Sequence, residues 1–164
     1  MNFARKILTT ADLPAWRAGL RQRGLRLVAT NGCFDLLHAG HVTYLEAARN
    51  QGDVLIVGVN ADAAVRGLKG PGRPVNSEAD RAFVLAALQS VDAVFIFPER
   101  DAVPFLRAVQ PDIYVKGGDY TLETVNQDER RLIEGAGGKV VLLGHVPGKS
   151  TTATLAKLSA PGGA

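Results

Sequence analysis

Residues 25–41 read Leu-Arg-Leu-Val-Ala-Thr-Asn-Gly-Cys-Phe-Asp-Leu-Leu-His-Ala-Gly-His, an apolar run that breaks into a glycine-containing turn and ends on His38-Ala39-Gly40-His41. Leu25–Thr30 has the nearly continuous apolar character of a buried strand, and residues 42–50 place Val42, Leu45 and Ala48 at helical spacing. Both histidines therefore fall on a strand-to-helix turn. In open α/β sheets ligands settle beyond the carboxyl ends of the strands, where a helix N-terminus offers unpaired N–H groups and a positive dipole end to a phosphate. His38 and His41 add side-chain donors at that point, and Gly32 and Gly40 permit close backbone approach.

The HxGH tetrapeptide alone is weak evidence, since three fixed residues in four positions recur by chance in roughly 2% of chains this long. Its neighbourhood supplies the context. Short apolar runs follow at Val54–Asn60, Ala93–Phe97, Ile113–Lys116 and Val140–Leu143. They alternate with helical patterns at Val42–Gln51, Glu78–Gln89, Ala102–Val109 and Asp128–Glu134, after a helix from about Ala11 to Arg23 and before a last one near residues 152–158. Alternation of this kind predicts βαβ units and a Rossmann-like parallel sheet of five strands with helices on both faces. Ser77 is placed to cap the helix that follows, while Gly52 and Gly135 stand where helix C-caps are expected.

The 164 residues suit one domain spanning the chain, with the tail from 159 to 164 frayed. A net charge of +3, without a block of like charges, gives no nucleic-acid track and suits a small anionic substrate. One cysteine excludes an internal disulfide framework. No apolar stretch reaches the ~18 residues of a membrane span and no signal-peptide core opens the chain, so a soluble cytoplasmic protein is expected.

Polar and glycine-rich segments collect after the strands. Asn60 ends the second and is followed by Arg66, Lys69 and Arg73 in a Gly/Pro-rich stretch, 67–74, that reads as irregular and mobile, suited to closing cations over phosphates. The fourth runs into Lys116-Gly117-Gly118-Asp119-Tyr120, where Asp119 can accept from a sugar hydroxyl or base amino group. The fifth leads through His145, which reads as structural or solvent-exposed, to Ser150-Thr151-Thr152, hydroxyls that open a helix and suit an anion. Cys33 has no partner pair for nucleophilic catalysis and reads as a small residue with its backbone towards the ligand. Cys and His are too few for a zinc cluster.

Together, Asn31–Asp35 with HxGH, Arg73-Pro74-Val75-Asn76, Lys116–Tyr120 and Ser150–Thr152 resemble the cytidylyltransferase-like nucleotidyltransferases, and within them the heptose 1-phosphate adenylyltransferases, over residues from about 8 to 158. The resemblance implies adenylyl transfer from ATP to D-glycero-β-D-manno-heptose 1-phosphate, giving ADP-heptose and pyrophosphate. It implies catalytic roles for His38, His41 and Lys69, and nucleotide contacts from Gly32, Cys33, Phe34, Gly40, Asn60, Gly118, Asp119, Ser150, Thr151 and Thr152. Asp35, Arg73 and Lys116 would serve the sugar phosphate. Mg²⁺ would arrive on the triphosphate, the chain would form a homo-oligomer, and a separate kinase would make the acceptor. One departure stands out: Ala153-Thr154-Leu155-Ala156 separates the hydroxyls from Lys157, where many members carry a basic residue sooner. The residues leave open a cytidylyltransferase acting on glycerol 3-phosphate or a similar phosphorylated alcohol, and a nucleotide-sensing module without catalysis.

Overall fold

The computed structural model describes residues 2–144 together with Thr151 and Leu155. A 3-10 turn at Phe3–Lys6 leads into β1 (Ile7–Leu8), α1 (Leu13–Gln22), β2 (Leu27–Gly32), α2 (Ala39–Arg49), β3 (Val54–Asn60) and α3 (Asp62–Lys69). Then follow α4 (Glu78–Ala86), β4 (Ala93–Phe97), α5 (Val103–Val109), β5 (Ile113–Gly117), α6 (Gln127–Gly135) and β6 (Lys139–Leu143). The strands pair in the order β1-β4-β3-β2-β5-β6, every pairing parallel.

Six strands form the sheet where the sequence predicts five. The addition is β1, two residues held by Val94 and Phe95 of β4. A strand this short has no periodicity to betray it, and only the edge of β4 makes it one. The expected helix near 152–158 lies outside the described residues.

Burial on both faces explains why the strands read as continuous apolar runs. Successive side chains alternate between two cores. Leu27, Ala29, Val54, Ile56 and Tyr114 pack with α1, α5 and α6 through Leu13, Leu20, Phe105, Leu106, Val109 and Ile133. Val28, Leu55, Val57, Val94, Ile113 and Val115 pack on the other face against Leu45 and Ala48 of α2 and Ala82, Leu85 and Ala86 of α4.

Local signals set the helix starts. Ser77 accepts the Asp80 N–H at 3.2 Å, and Asn126 accepts those of Asp128 and Glu129, satisfying donors the first turn of a helix leaves free. The two expected glycine C-caps are displaced. Helix α2 closes on Asn50, and Gly52 is needed because a Cβ there would lie 2.6 Å from Val28 and 3.0 Å from the Arg26 carbonyl. Gly135 is the last residue of α6, which closes on Ala136. The stretch from Gly67 is also more ordered than its composition suggests, because α3 continues through Lys69 before Gly70 ends it at φ +97°. Lys69 thus stands on a helix end instead of a loose loop.

Candidate active site

Strand order reverses at β2: the chain proceeds to β3 and β4 on one side and returns to β5 and β6 on the other. β2 and β5 pair at only two registers, Val28 with Ile113 and Ala29 with Tyr114. Beyond them the strands part, and the crevice that opens at such a switch point is where doubly wound sheets place ligands. A cavity of about 400 Å³ lies there.

Its walls come from distant parts of the chain: Asn31, Gly32, Cys33, Phe34 and Asp35 after β2, His38, Gly40, His41 and Tyr44 from the start of α2, and Lys69 and Arg73 around the end of α3. Lys116, Gly117, Gly118 and Tyr120 continue from β5, and Gly144 and Thr151 complete the lining among the described residues. His38 is the N-cap residue of α2 in extended conformation (φ −141°, ψ 169°), so the helix begins between the two histidines. Their rings stack, centroids 3.9 Å apart and planes 20° apart, and Phe34 meets His41 edge-on at 5.4 Å. Phe34 itself holds a left-handed φ of +46°, a conformation L-residues tolerate only when their surroundings over-determine it.

The turn is anchored by buried polar contacts. Asp35, 3% exposed, accepts from the Arg73 Nε at 2.5 Å and from the backbone N–H groups of Val75 and Asn76 at 2.8 and 3.1 Å. Burial works against its charge, but the Asn76 N–H, the Arg73 guanidinium and the Val75 N–H outweigh it and hold the carboxyl below the usual carboxylate range. Asp35 therefore ties the Arg73–Asn76 turn to the histidine turn. Burial pushes the Cys33 thiol up, against the pull of Lys69, Arg81 and Arg73, which keeps the nucleophilic thiolate scarce.

On the opposite wall the Tyr44 hydroxyl lies 2.6 Å from Thr30 Oγ1 and donates to the Val115 carbonyl at 3.1 Å, bridging β2 and β5 where they separate. Burial pushes its pKa up to about 12. Gly117 is required by this ring: a Cβ there would lie 2.5 Å from Tyr44. Lys116 Nζ pairs with Glu129 at 3.1 Å and lies 3.4 Å from Asn31 Oδ1. The Tyr114 hydroxyl is within hydrogen-bond distance of both Glu129 (2.8 Å) and Asn31 (2.6 Å).

The structure brings together His38, His41, Lys69, Gly32, Cys33, Phe34, Gly40, Gly118, Thr151, Asp35, Arg73 and Lys116. Asn60 does not join them: it is 3% exposed, its amide donates to the Glu99 carbonyl and its own carbonyl accepts from Arg81. Asp119 is not part of the lining, although Gly118 and Tyr120 on either side of it are. Thr151 donates its hydroxyl to the Leu36 carbonyl at 3.2 Å. Ser150, Thr152, His145 and Lys157 lie outside the described residues.

Sequence reasoning passed over Tyr44, Glu129 and Arg81. Tyr44 had a legible signal, standing three residues after His41 on one helix face. Arg81 had none. Only 2% exposed, its guanidinium donates to the carbonyls of Asn76, Cys33 and Asn60 and to Asp62, joining four segments behind the cavity.

A doubly wound sheet whose switch-point cavity is walled by an HxGH turn and a helix N-terminus defines a nucleotidyltransferase domain. The family model described as cytidylyltransferase-like matches residues 29–150, and the chain belongs to that family. It is 53% identical over 154 residues to the bifunctional protein HldE of Mesorhizobium japonicum, covering 94% of this chain and 31% of that one. Identity to the bifunctional protein HldE of Methylobacillus flagellatus is 51% over 156 residues, covering 95% and 32%. The chain thus spans about a third of the length of these relatives. Among solved structures it resembles the lipopolysaccharide core biosynthesis protein of Thermoplasma volcanium, with TM-score 0.61 and 30% identity over 75% of this chain and 98% of that one. The pantoate–β-alanine ligase of Francisella tularensis shares the fold alone, at TM-score 0.60 and 16% identity over 84% of this chain and 66% of that one.

Proposed function

We propose that the chain transfers the adenylyl group of ATP to D-glycero-β-D-manno-heptose 1-phosphate, releasing pyrophosphate and forming ADP-heptose. The observation that carries this reading is the convergence of His38, His41, Lys69 and the α2 N-terminus on one switch-point cavity. An oxygen of the sugar 1-phosphate attacks the α-phosphorus of ATP, a new P–O bond forms, and the bond from the α-phosphorus to the bridging oxygen of pyrophosphate breaks. The attacking phosphate is already ionised, so no protein nucleophile or base is needed, in keeping with the raised Cys33 thiol. Catalysis then rests on positioning and on donors aimed at the charge that builds on the α-phosphoryl oxygens and leaving group. His38 and His41 supply those donors, Lys69 meets the polyphosphate, and the backbone at Gly32–Phe34 and Gly40 lies along the nucleotide. Ser150, Thr151 and Thr152 extend the phosphate contacts, Gly118 serves the ribose or base, and Arg73 and Asp35 shape the acceptor side.

Mg²⁺ enters as the ion carried by ATP. Asp35, the carboxylate on the cavity wall, is already taken by Arg73 and two backbone amides, and the described residues hold no group of three acidic, His or Cys ligands. The metal would therefore keep phosphate and water ligands. No helix among the described residues is long and apolar enough to cross a membrane, and the proposed setting is a cytoplasmic homo-oligomer supplied with acceptor by a sugar kinase.

Pyrophosphate release measured across nucleoside triphosphates and phosphorylated acceptors tests the reading. Turnover of ATP with the heptose 1-phosphate is expected. Activity with CTP and glycerol 3-phosphate alone would replace it with a cytidylyltransferase, and ATP binding without turnover on any acceptor would make the domain a nucleotide sensor.

A further inference from the structure

Three side-chain cations, Lys69, Arg73 and Lys116, line the described part of the cavity, and two carry a buried carboxylate partner. Arg73 pairs with Asp35, whose side chain is 1% exposed, and Lys116 pairs with Glu129, whose side chain is 4% exposed. Lys69 has no carboxylate partner among the described residues. The counter-charge on Lys116 is firmly seated. Glu129 Oε1 accepts the Ala102 N–H at 3.1 Å at the start of α5, while Oε2 meets both Lys116 and the Tyr114 hydroxyl. Asn31 lies beside the ammonium, and the rings of Tyr114 and Tyr120 lie 5.3 and 5.8 Å from it. Lys116 therefore shows the cavity a fixed N–H donor with almost no net charge behind it. A phosphate approaching Lys116 would meet the Glu129 carboxylate 3.1 Å behind the ammonium, so repulsion from the one offsets a large part of the attraction of the other.

We infer that the corner formed by Lys116, Asn31 and Tyr120 receives an uncharged hydrogen-bonding part of a substrate, and that Glu129 is the positioning residue that holds Lys116 there and cancels its charge. The polyphosphate lies on the other wall, at Lys69 and the α2 N-terminus. The shared chemistry is a neutral acceptor, a sugar hydroxyl or a nucleoside atom. This assignment deepens the proposed adenylyl transfer and rests on it.

Inorganic tripolyphosphate, which has the charge of the nucleotide tail and nothing else, separates the two walls. Its binding is titrated calorimetrically into the wild type and the variants K69M, K116M, E129Q and E129Q/K116M, with thermal melts to confirm folding. K69M is expected to weaken binding at least tenfold and K116M by less than twofold. E129Q, nearly isosteric, is expected to tighten it at least threefold by releasing the Lys116 charge, a gain that disappears in the double variant. A purely structural role for Glu129 would weaken binding or leave it unchanged in E129Q, and either result overturns the inference, as does a loss in K116M matching that in K69M. Should K116M melt early, the sign of the E129Q change decides alone. Steady-state kinetics of E129Q and K116M then identify the source of the neutral group, since KM should rise for the nucleotide or for the sugar phosphate but not equally for both; unchanged KM values for both would also overturn it. Tripolyphosphate binding does not depend on the acceptor, so failure of the wild type to turn over heptose 1-phosphate would reject the proposed reaction while leaving the charge assignment readable.

Discussion

His41 stands in the first turn of α2, stacked on His38 and braced at its edge by Phe34, so its ring direction is set by packing before any ligand arrives. A donor fixed in this way is worth most when charge develops on a phosphoryl oxygen, because it need not reorganise. Replacing His41 with Ala is expected to raise the barrier by about 3 kcal/mol, lowering kcat by roughly two orders of magnitude while ATP affinity changes much less. Rapid-quench kinetics together with ATP titration check this, and a loss confined to KM would contradict a transition-state role. The histidines were legible once the apolar run before them and the helical spacing after them put the HxGH tetrapeptide on a strand-to-helix turn. Asn60 was not, because its position at a strand end is compatible with either a ligand contact or an internal hydrogen bond. Tertiary packing chose the second, through Glu99 and Arg81.

Among the elements, α3 and α4 hold the cation wall, and they are joined behind the cavity by Arg81. Its guanidinium ties the end of β3 at Asn60, the start of α3 at Asp62, the Asn76 turn and the Cys33 carbonyl. Arg81→Met keeps the apolar stem and removes every donor, leaving buried carbonyls and Asp62 without that partner. A loss of about 3 kcal/mol in unfolding free energy is expected, measured by urea denaturation, with lowered activity in whatever remains folded. Helix periodicity predicts α4 from Glu78 and the structure begins it there, because Ser77 and Asp80 encode the cap locally. The same reasoning treats the Gly/Pro-rich stretch after Gly67 as loop. Composition there is dominated by Gly70–Pro74, while the helix ending at Lys69 depends on burial of Ala64 and Val65 against the rest of the molecule.

At the scale of the whole molecule, the sheet brings residues from 31 to 151 to one crevice, and buried or hydrogen-bonded carboxylates hold its segments together. Asp35 and Asp53 both have pKa values lowered in the fold, the former against its burial by the Asn76 N–H, Arg73 and the Val75 N–H, the latter chiefly by the Arg26 N–H. The folded value lies below the unfolded one, so their stabilisation is complete above about pH 4 and is lost as pH falls through the folded values. Urea midpoints should therefore hold steady near neutrality and drop as pH falls below about 4, and Asp35→Asn should make that drop shallower. What the sequence determined by itself was local: five of the six strands, helices α1, α2, α4, α5 and α6, the HxGH turn and the Ser77 cap, all encoded by period and by neighbours within a few residues. The family followed from the order of those motifs. Only tertiary structure decided the rest. β1 exists because β4 offers an edge, Gly117 is a glycine because Tyr44 lies against it, and Lys116 and Arg73 lose their net charge to Glu129 and Asp35. The last two pairs join residues 13 and 38 positions apart, and charge cancellation between such residues depends on distances that no local pattern specifies.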